Sequence, residues 1–242
     1  MPFTFSHPAI VLPLAYWPRT VSVTGLIIGS MTPDFEYFLR MRVHSESSHT
    51  VAGLLWFDLP LGLVLAFAFH NVVRDELIAH LPPILRSRFD SLGRYSWNAH
   101  FRKQWWTVAI SILIGAASHL LWDSFTHAGG YFVELHPILT ADITLAGFDI
   151  PLYKILQHGS TVVGGLVIAF TIYRLPARDV SKSKSNRMYW PLVIVLAALI
   201  VVVRLAAGLP LAQYGHVIAT VLSAALISLL IASAFNRYKR ME

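Results

Sequence analysis

SHLLWDSFTH, residues 118–127, closes the apolar run 105–126 and places His119, Asp123 and His127 four residues apart. On a helix, steps of four drift by only about 40°. The three side chains would therefore form one polar stripe running toward the helix end. Ionisable groups at membrane depth are costly and tend to mark function. Two imidazoles and a carboxylate suit zinc, and they supply too few oxygens for a calcium cage.

The rest of the chain supports a membrane setting for that run. Of 242 residues, 55% are hydrophobic and 13% charged, about half the charged share of ordinary soluble domains. Cysteine is absent, which excludes disulfides, thiolate zinc sites and thiol nucleophiles together. The net charge of +6 raises nucleic acid as a partner. However, no aromatic-rich basic strand or recognition-helix pattern accompanies the basic residues. The N-terminal stretch MPFTFSHPAIVLPLAYWPRT lacks the basic start of a signal peptide and is interrupted by prolines, so it is expected to belong to the mature protein.

About 20 apolar residues cross a bilayer. Five stretches qualify: 52–72, 105–126, 159–175, 190–209 and 213–235. The last two read as a hairpin turned at GLPLAQYG. Residues 21–39 carry Pro33, Asp34 and Glu36 and read as a surface or re-entrant helix. The expected fold class is all-α: a polytopic helical membrane protein of about five transmembrane helices, with a metal site at the outer face. It forms a single membrane-embedded domain over 1–242. Residues 1–51 are an extracytoplasmic, ligand-bearing segment, 52–175 a three-span core, 176–189 a cytoplasmic linker, and 190–242 a helical hairpin with a basic tail.

Orientation follows from the loops. Segment 73–104 holds Arg74, Arg86, Arg88, Arg94, Arg102 and Lys103. Segment 174–189 holds Arg174, Arg178, Lys182, Lys184 and Arg187, and the tail adds Arg237, Lys239 and Arg240. Residues 127–158 carry only Lys154 against Glu134, Asp142 and Asp149. Five spans with the N-terminus outside put all three basic segments in the cytoplasm. The protein is thus expected in the cytoplasmic (inner) membrane, with N-terminus and site outside and C-terminus inside. Asp123, His127 and His158 then share a membrane face with His7, Asp34 and His49.

Each of these residues also has a plainer role. His7 precedes a proline in extended backbone, as a surface histidine would. Asp34 follows Pro33, where aspartates turn or cap helices. His49 and His158, the latter with Gln157 beside it, suit interfacial positions next to spans. His119 and Asp123 would hydrogen-bond to one another or to neighbouring helices, and His127 suits a helix C-terminus. His44 is a weaker candidate, and His136 stays open. His70, His80, His100 and His216 fall at cytoplasmic or lipid-level positions. Asp58, inside the first span, reads as a supporting carboxylate or proton acceptor. Arg204, in the fourth, reads as snorkelling or holding a lipid phosphate.

TFSHP, IGSMTPDF, the glycine–leucine pair four residues after His49, SHLLWDSFTH and PLYKILQHGS together resemble a family of bacterial multi-spanning proteins described as domain of unknown function 4184. The resemblance covers most of the chain. A more distant likeness is to membrane-bound metal-dependent hydrolases and the zinc phospholipase C and S1/P1 nuclease superfamily. That likeness implies His7, Asp34, His49, His119, Asp123, His127 and His158 as metal ligands. It also implies catalytic roles for Asp34 and Asp123, with Asp123 bridging two ions. The superfamily also uses its N-terminal amine and a glutamate four residues after the last histidine, where this chain has Val162. Two ions are accordingly expected instead of three, zinc first, with manganese or iron as alternatives.

The implied activity is metal-dependent hydrolysis of a phosphoester. A lipid substrate is favoured by a site at headgroup depth, with membrane lipids as partners and no nucleic acid. One alternative is a metal-ion or proton transporter, which would carry flux in proteoliposomes. Another is a noncatalytic scaffold with a structural metal, which would need only four ligands.

Overall fold

The computed structural model describes residues 3–17, 20–93, 96–179 and 186–239. Met1 and the cytoplasmic charges expected at Arg94, Lys182, Lys184 and Arg240 fall outside them. Short helical turns at Thr4–Ser6, Pro8–Val11 (α1) and Leu12–Tyr16 lead to α2, Val23–Gly29, and α3, Thr32–Arg40. The long helix α4 runs Val51–His80 and is followed by α5, Pro83–Phe89, and α6, Trp97–Thr126. Next come α7 (Tyr131–Leu135), α8 (Pro137–Thr140) and the hairpin β1 (Asp142–Leu145) with β2 (Phe148–Pro151). Helices α9 (Leu152–Arg174), α10 (Tyr189–Ala206) and α11 (Tyr214–Lys239) complete the order.

Helices α4, α6, α9, α10 and α11 are long and apolar enough to cross a membrane, and they fall on the five expected stretches. α2 and α3, seven and nine residues long, are too short to do so. α6 breaks at Gln104 (φ −133°, ψ 31°), one residue before the expected span begins, so a polar leg joins an apolar one there. α9 starts at Leu152, seven residues before the expected 159. His158 therefore lies inside that helix instead of opening it. The antiparallel hairpin is a departure from the all-helical expectation. Ala146 (φ 51°) and Gly147 (φ 85°) turn between Leu145 and Phe148, and two successive positive φ values match the twist of a tight hairpin.

The chain divides into two compact units: residues 1–34, 47–63 and 104–171, and residues 35–46, 64–103 and 172–242. In the first, α2 lies against the apolar leg of α6 through small residues. A Cβ on Gly25 would come within 2.8 Å of Ser111 Cβ and the Val108 carbonyl. One on Gly29 would fall on the Ile112 carbonyl, and one on Gly115 on that of Leu26. Lipid tails are as apolar as leucine, so such close approach, and not water expulsion, holds helices together in a bilayer. Leu26, Val108 and Ile112 are buried at this crossing. Ser22 caps α2 by accepting from Gly25 N, while its own N–H donates to Ser111 Oγ at 2.8 Å.

In the second unit, α10 and α11 pack through Tyr189, Val193 and Ala232, as the expected hairpin requires. A polar knot ties this pair to α4. His80 donates from Nδ1 to the Glu76 carbonyl and accepts at Nε2 from Asn186 N–H. The Asn186 amide donates to Asn236 Oδ1, and Asn236 donates to Glu76 Oε2 at 3.0 Å. Tyr189 stacks on His80 at 4.2 Å and meets Ser233 Oγ through its hydroxyl. Arg204 donates to the Met41 carbonyl at 3.4 Å, as does Thr220 at 3.0 Å, so a backbone oxygen takes one of its donors.

Candidate metal centre

His7, Asp34, His49, His119, Asp123 and His127 come together within the first unit. α6 supplies His119 and Asp123 on successive turns, and His127 follows directly after its last residue, Thr126. The Gly25–Gly29 face of α2 brings the Ser30 carbonyl to 2.7 Å from His119 Nδ1. A carbonyl only accepts, so Nδ1 carries the proton and Nε2 is left bare. This is the tautomer a metal ligand needs, fixed by the neighbour that usually fixes it. His127 repeats the pattern, donating from Nδ1 to the Asp123 carbonyl at 3.0 Å. His49 Nδ1 lies 3.0 Å from the buried Ser48 Oγ, on a tight turn where Gly53 N–H is capped by Thr50 Oγ1. Asp34 sits in the first turn of α3 and accepts from Thr4 Oγ1 at 2.5 Å through Oδ2. Its Oδ1 is left facing the histidines.

Asp123 is the centre of the group. Its Oδ1 lies 3.2 Å from His7 Nε2 and 3.5 Å from His127 Nδ1. Its Oδ2 lies 3.3 Å from His119 Nε2 and 3.8 Å from His49 Nε2. Asp34 Oδ1 is 3.6 Å from both His49 Nε2 and His119 Nε2. The His7 and His119 rings stack at 3.7 Å, and Trp122 meets His7 edge-on at 5.7 Å. Two overlapping sets, His7–His119–Asp123 and Asp34–His49–His119, each gather ligand atoms within 4.8 Å of one another.

The donor set fits divalent metal. Ligands held tetrahedrally at 2.0–2.2 Å from zinc sit roughly 3.3–3.6 Å apart, and the separations here run from 3.2 to 3.8 Å. His7, Asp34 and His119 are fully buried. His7 Nδ1, Asp34 Oδ1, His119 Nε2 and His127 Nε2 lack a hydrogen-bond partner among the described residues. Buried polar atoms are ordinarily satisfied, and Asp34 Oδ1 and His119 Nε2, unsatisfied and 3.6 Å apart, are a pair that a cation would complete. Burial pushes the His7 pKa below its ordinary value, with His119 adding to the effect. Burial alone would raise Asp34, but the His119 and His49 imidazoles outweigh it and hold the carboxyl well below the usual carboxylate range.

The sequence profile of the family described as domain of unknown function (DUF4184) matches residues 1–234. The chain belongs to that family. No curated protein and no solved structure matches the DUF4184 chain.

Of the seven expected ligands, five fall in the two sets, and His127 stands beside them, reaching Asp123 only through the Nδ1 that bonds its carbonyl. His158 is exposed on α9 and lies outside both ligand sets. His44 pairs with Glu46 at 2.9 Å, and His136 is exposed beside Phe132. Asp58 is fully buried at the end of a wide π-turn in α4. Sequence reasoning did not single out Thr4, Ser30 and Ser48, which orient the ligands. All three stand within one to four residues of a ligand, in the stretches TFSHP, IGSMTPDF and HSESSHT. A hydroxyl or backbone acceptor so close to each candidate was the available signal.

Proposed function

We propose that this protein is a metal-dependent hydrolase of a phosphoester at the extracytoplasmic face of the inner membrane. The observation that carries the reading is the Asp123 carboxylate, whose two oxygens face different imidazoles, Oδ1 toward His7 and Oδ2 toward His119 and His49. His7, His49, His119, Asp34 and Asp123 would hold the metal, with Asp123 presenting one oxygen toward His7 and the other toward His49 and His119. Zinc fits this nitrogen-rich set best, with manganese or iron as alternatives. When bound, two such ions supply a water nucleophile near neutral pH and charge stabilisation for the attacking and leaving oxygens.

The residues do the rest. Ser30 and the Asp123 carbonyl fix the His119 and His127 tautomers. Thr4 ties one oxygen of Asp34, so that the other is held inward as an acceptor that aligns the attacking water. Access is from one side, since His49 and His127 keep side-chain exposures of 23% and 29% while His7 and His119 have none. Five candidate ligands exceed the four of a closed structural site, which favours catalysis over a scaffold. The uneven distribution of basic loops supports the outward orientation.

Purification in mild detergent without chelators, followed by metal analysis by mass spectrometry, tests the reading. About two ions per chain, as in two-metal hydrolases, are expected, lost in both His119→Ala and Asp123→Ala, with phosphoester turnover lost in parallel. A wild-type protein that takes up no transition metal, even after incubation with zinc, would overturn it.

A further inference from the structure

Beside the cluster, the first unit holds a groove of about 520 Å³, within the roughly 300–1,000 Å³ range of ligand clefts. Ile10 lines it from α1, Leu121 and Phe125 from α6, and Leu156, Val163 and Val167 from α9. All six are exposed. No lining residue is charged. Its two hydroxyls are already engaged within their own helices: Thr126 Oγ1 with the Trp122 carbonyl at 3.3 Å, and Ser160 Oγ with that of Gln157 at 3.0 Å. The groove therefore offers a polar ligand nothing to recognise, and hydrocarbon a continuous wall.

We propose that this groove seats an acyl chain of the lipid whose phosphoester the His/Asp cluster cleaves. The proposal rests on the hydrolase reading and names its substrate class. Groove and cluster are continuous. Trp122 lines the groove and meets His7 edge-on, and the next residue is Asp123. Thr126 lines the groove and lies 3.3 Å from His127 Nδ1, on the accessible side of the cluster. One layer of side chains thus separates the apolar wall from the metal ligands, the arrangement of a lipid whose phosphate lies just beyond its chains.

The groove is also preformed. Phe3 N–H donates to Thr161 Oγ1, and Ser6 Oγ donates to the Thr161 carbonyl, both at 3.0 Å. Gly164 lets Ser6 approach so closely that a Cβ there would lie 2.9 Å from Ser6 Cβ. The N-terminal segment carrying His7 and Ile10 is thereby fixed to α9. Since α6 and α9 are both long and apolar enough to cross a membrane, the medium around the groove is itself hydrocarbon. A soluble phosphoester would leave this wall unused.

The test uses the metal-loaded full chain in nanodiscs of phosphatidylethanolamine and phosphatidylglycerol, the latter carrying a diazirine on one acyl chain. Illumination and peptide mapping are expected to concentrate label on residues 118–127 and 156–167. Val163→Trp and Leu121→Trp, which fill the groove from exposed positions, should abolish that concentration while leaving metal content unchanged. In the same variants the KM for a long-chain phospholipid should rise about tenfold or more, because two methylenes left unburied already amount to that. The KM for a short-chain, water-soluble analogue should rise far less than that for the long-chain phospholipid, and equal rises for both would overturn the proposal. Label spread evenly over all lipid-facing helices, or cross-links between two copies of the chain, would overturn the proposal. Concentrated label with no hydrolysis of any phosphoester would keep the groove as a lipid seat and overturn the hydrolase reading beneath it.

Discussion

The His119 imidazole donates from Nδ1 to the backbone carbonyl of Ser30 at 2.7 Å, so the geometry of the cluster depends on how closely α2 can approach α6. The approach is set by Gly25, Gly29 and Gly115, and the Ser30 side chain takes no part in it: its hydroxyl donates to the Ile27 carbonyl. Gly29→Val should push α2 away from the Ile112 carbonyl and misorient His119. Outer partners of metal-bound histidines are worth about 10–100-fold in metal affinity, and a loss of that size is expected. Ser30→Ala keeps the carbonyl and should change affinity little. Zinc titration against a competing chelator measures both. Equal affinities in the two variants would show that the α2–α6 approach does not govern the site.

Asp123 turns one oxygen toward His7 and the other toward His119 and His49, so a neutral isostere should be informative. Asp123→Asn preserves volume and removes the charge that two cations would share. Any ligand that binds only the folded state stabilises it, by about 2.7 kcal/mol at a hundredfold excess over Kd. Stripping metal from the wild type should accordingly lower its thermal midpoint, and re-addition of zinc should restore it. In Asp123→Asn, chelator and zinc should leave the midpoint unmoved. A chelator-sensitive midpoint in the variant would place the principal metal away from Asp123.

The parts legible in the sequence were those written in local pattern. Five apolar runs of bilayer length announced five helices. The four-residue spacing of His119, Asp123 and His127 announced a common face. What was not legible depended on packing between distant segments. Gly25 and Gly29 are four apart, a spacing that permits close helix contact, but nothing in the sequence says that Ile112 and Gly115 are what they meet. His158 has the residue type and chain position expected of a ligand, yet α9 begins at Leu152 and leaves it exposed. His80 and Glu76 fall at the start of the basic segment 73–104, where the pattern gives no reason to expect burial. Both are buried, because Asn186 and Asn236, more than 100 residues further on, satisfy them.

That knot gives a prediction for the second unit. Asn236 donates to Glu76 and accepts from Asn186, so Asn236→Ala removes one donor from a buried carboxylate and one acceptor from an amide. Loss of a hydrogen-bond partner at a buried polar group costs about 1–3 kcal/mol, more where the group is charged. The variant should melt several degrees below wild type in the same detergent. Its metal content per chain should be unchanged, since its partners carry none of the ligands. Loss of metal together with stability would mean that the knot and the cluster are coupled.

Orientation decides which membrane face the cluster lies toward, and the absence of cysteine makes it measurable without background. Ala146→Cys puts a thiol at the exposed turn between β1 and β2, and cysteine should tolerate that left-handed position as alanine does. Asp179→Cys puts one at an exposed position in the basic segment after α9. A membrane-impermeant maleimide should label Ala146→Cys in cells with a permeable outer envelope, and Asp179→Cys only after the inner membrane is opened. The reverse pattern would turn the cluster toward the cytoplasm, where a metal-dependent hydrolase would draw on the inner leaflet instead. The positive-inside rule argues against that outcome, because it would put Arg174, Arg178 and Arg187 outside and leave a single lysine, Lys154, in the cytoplasmic loop.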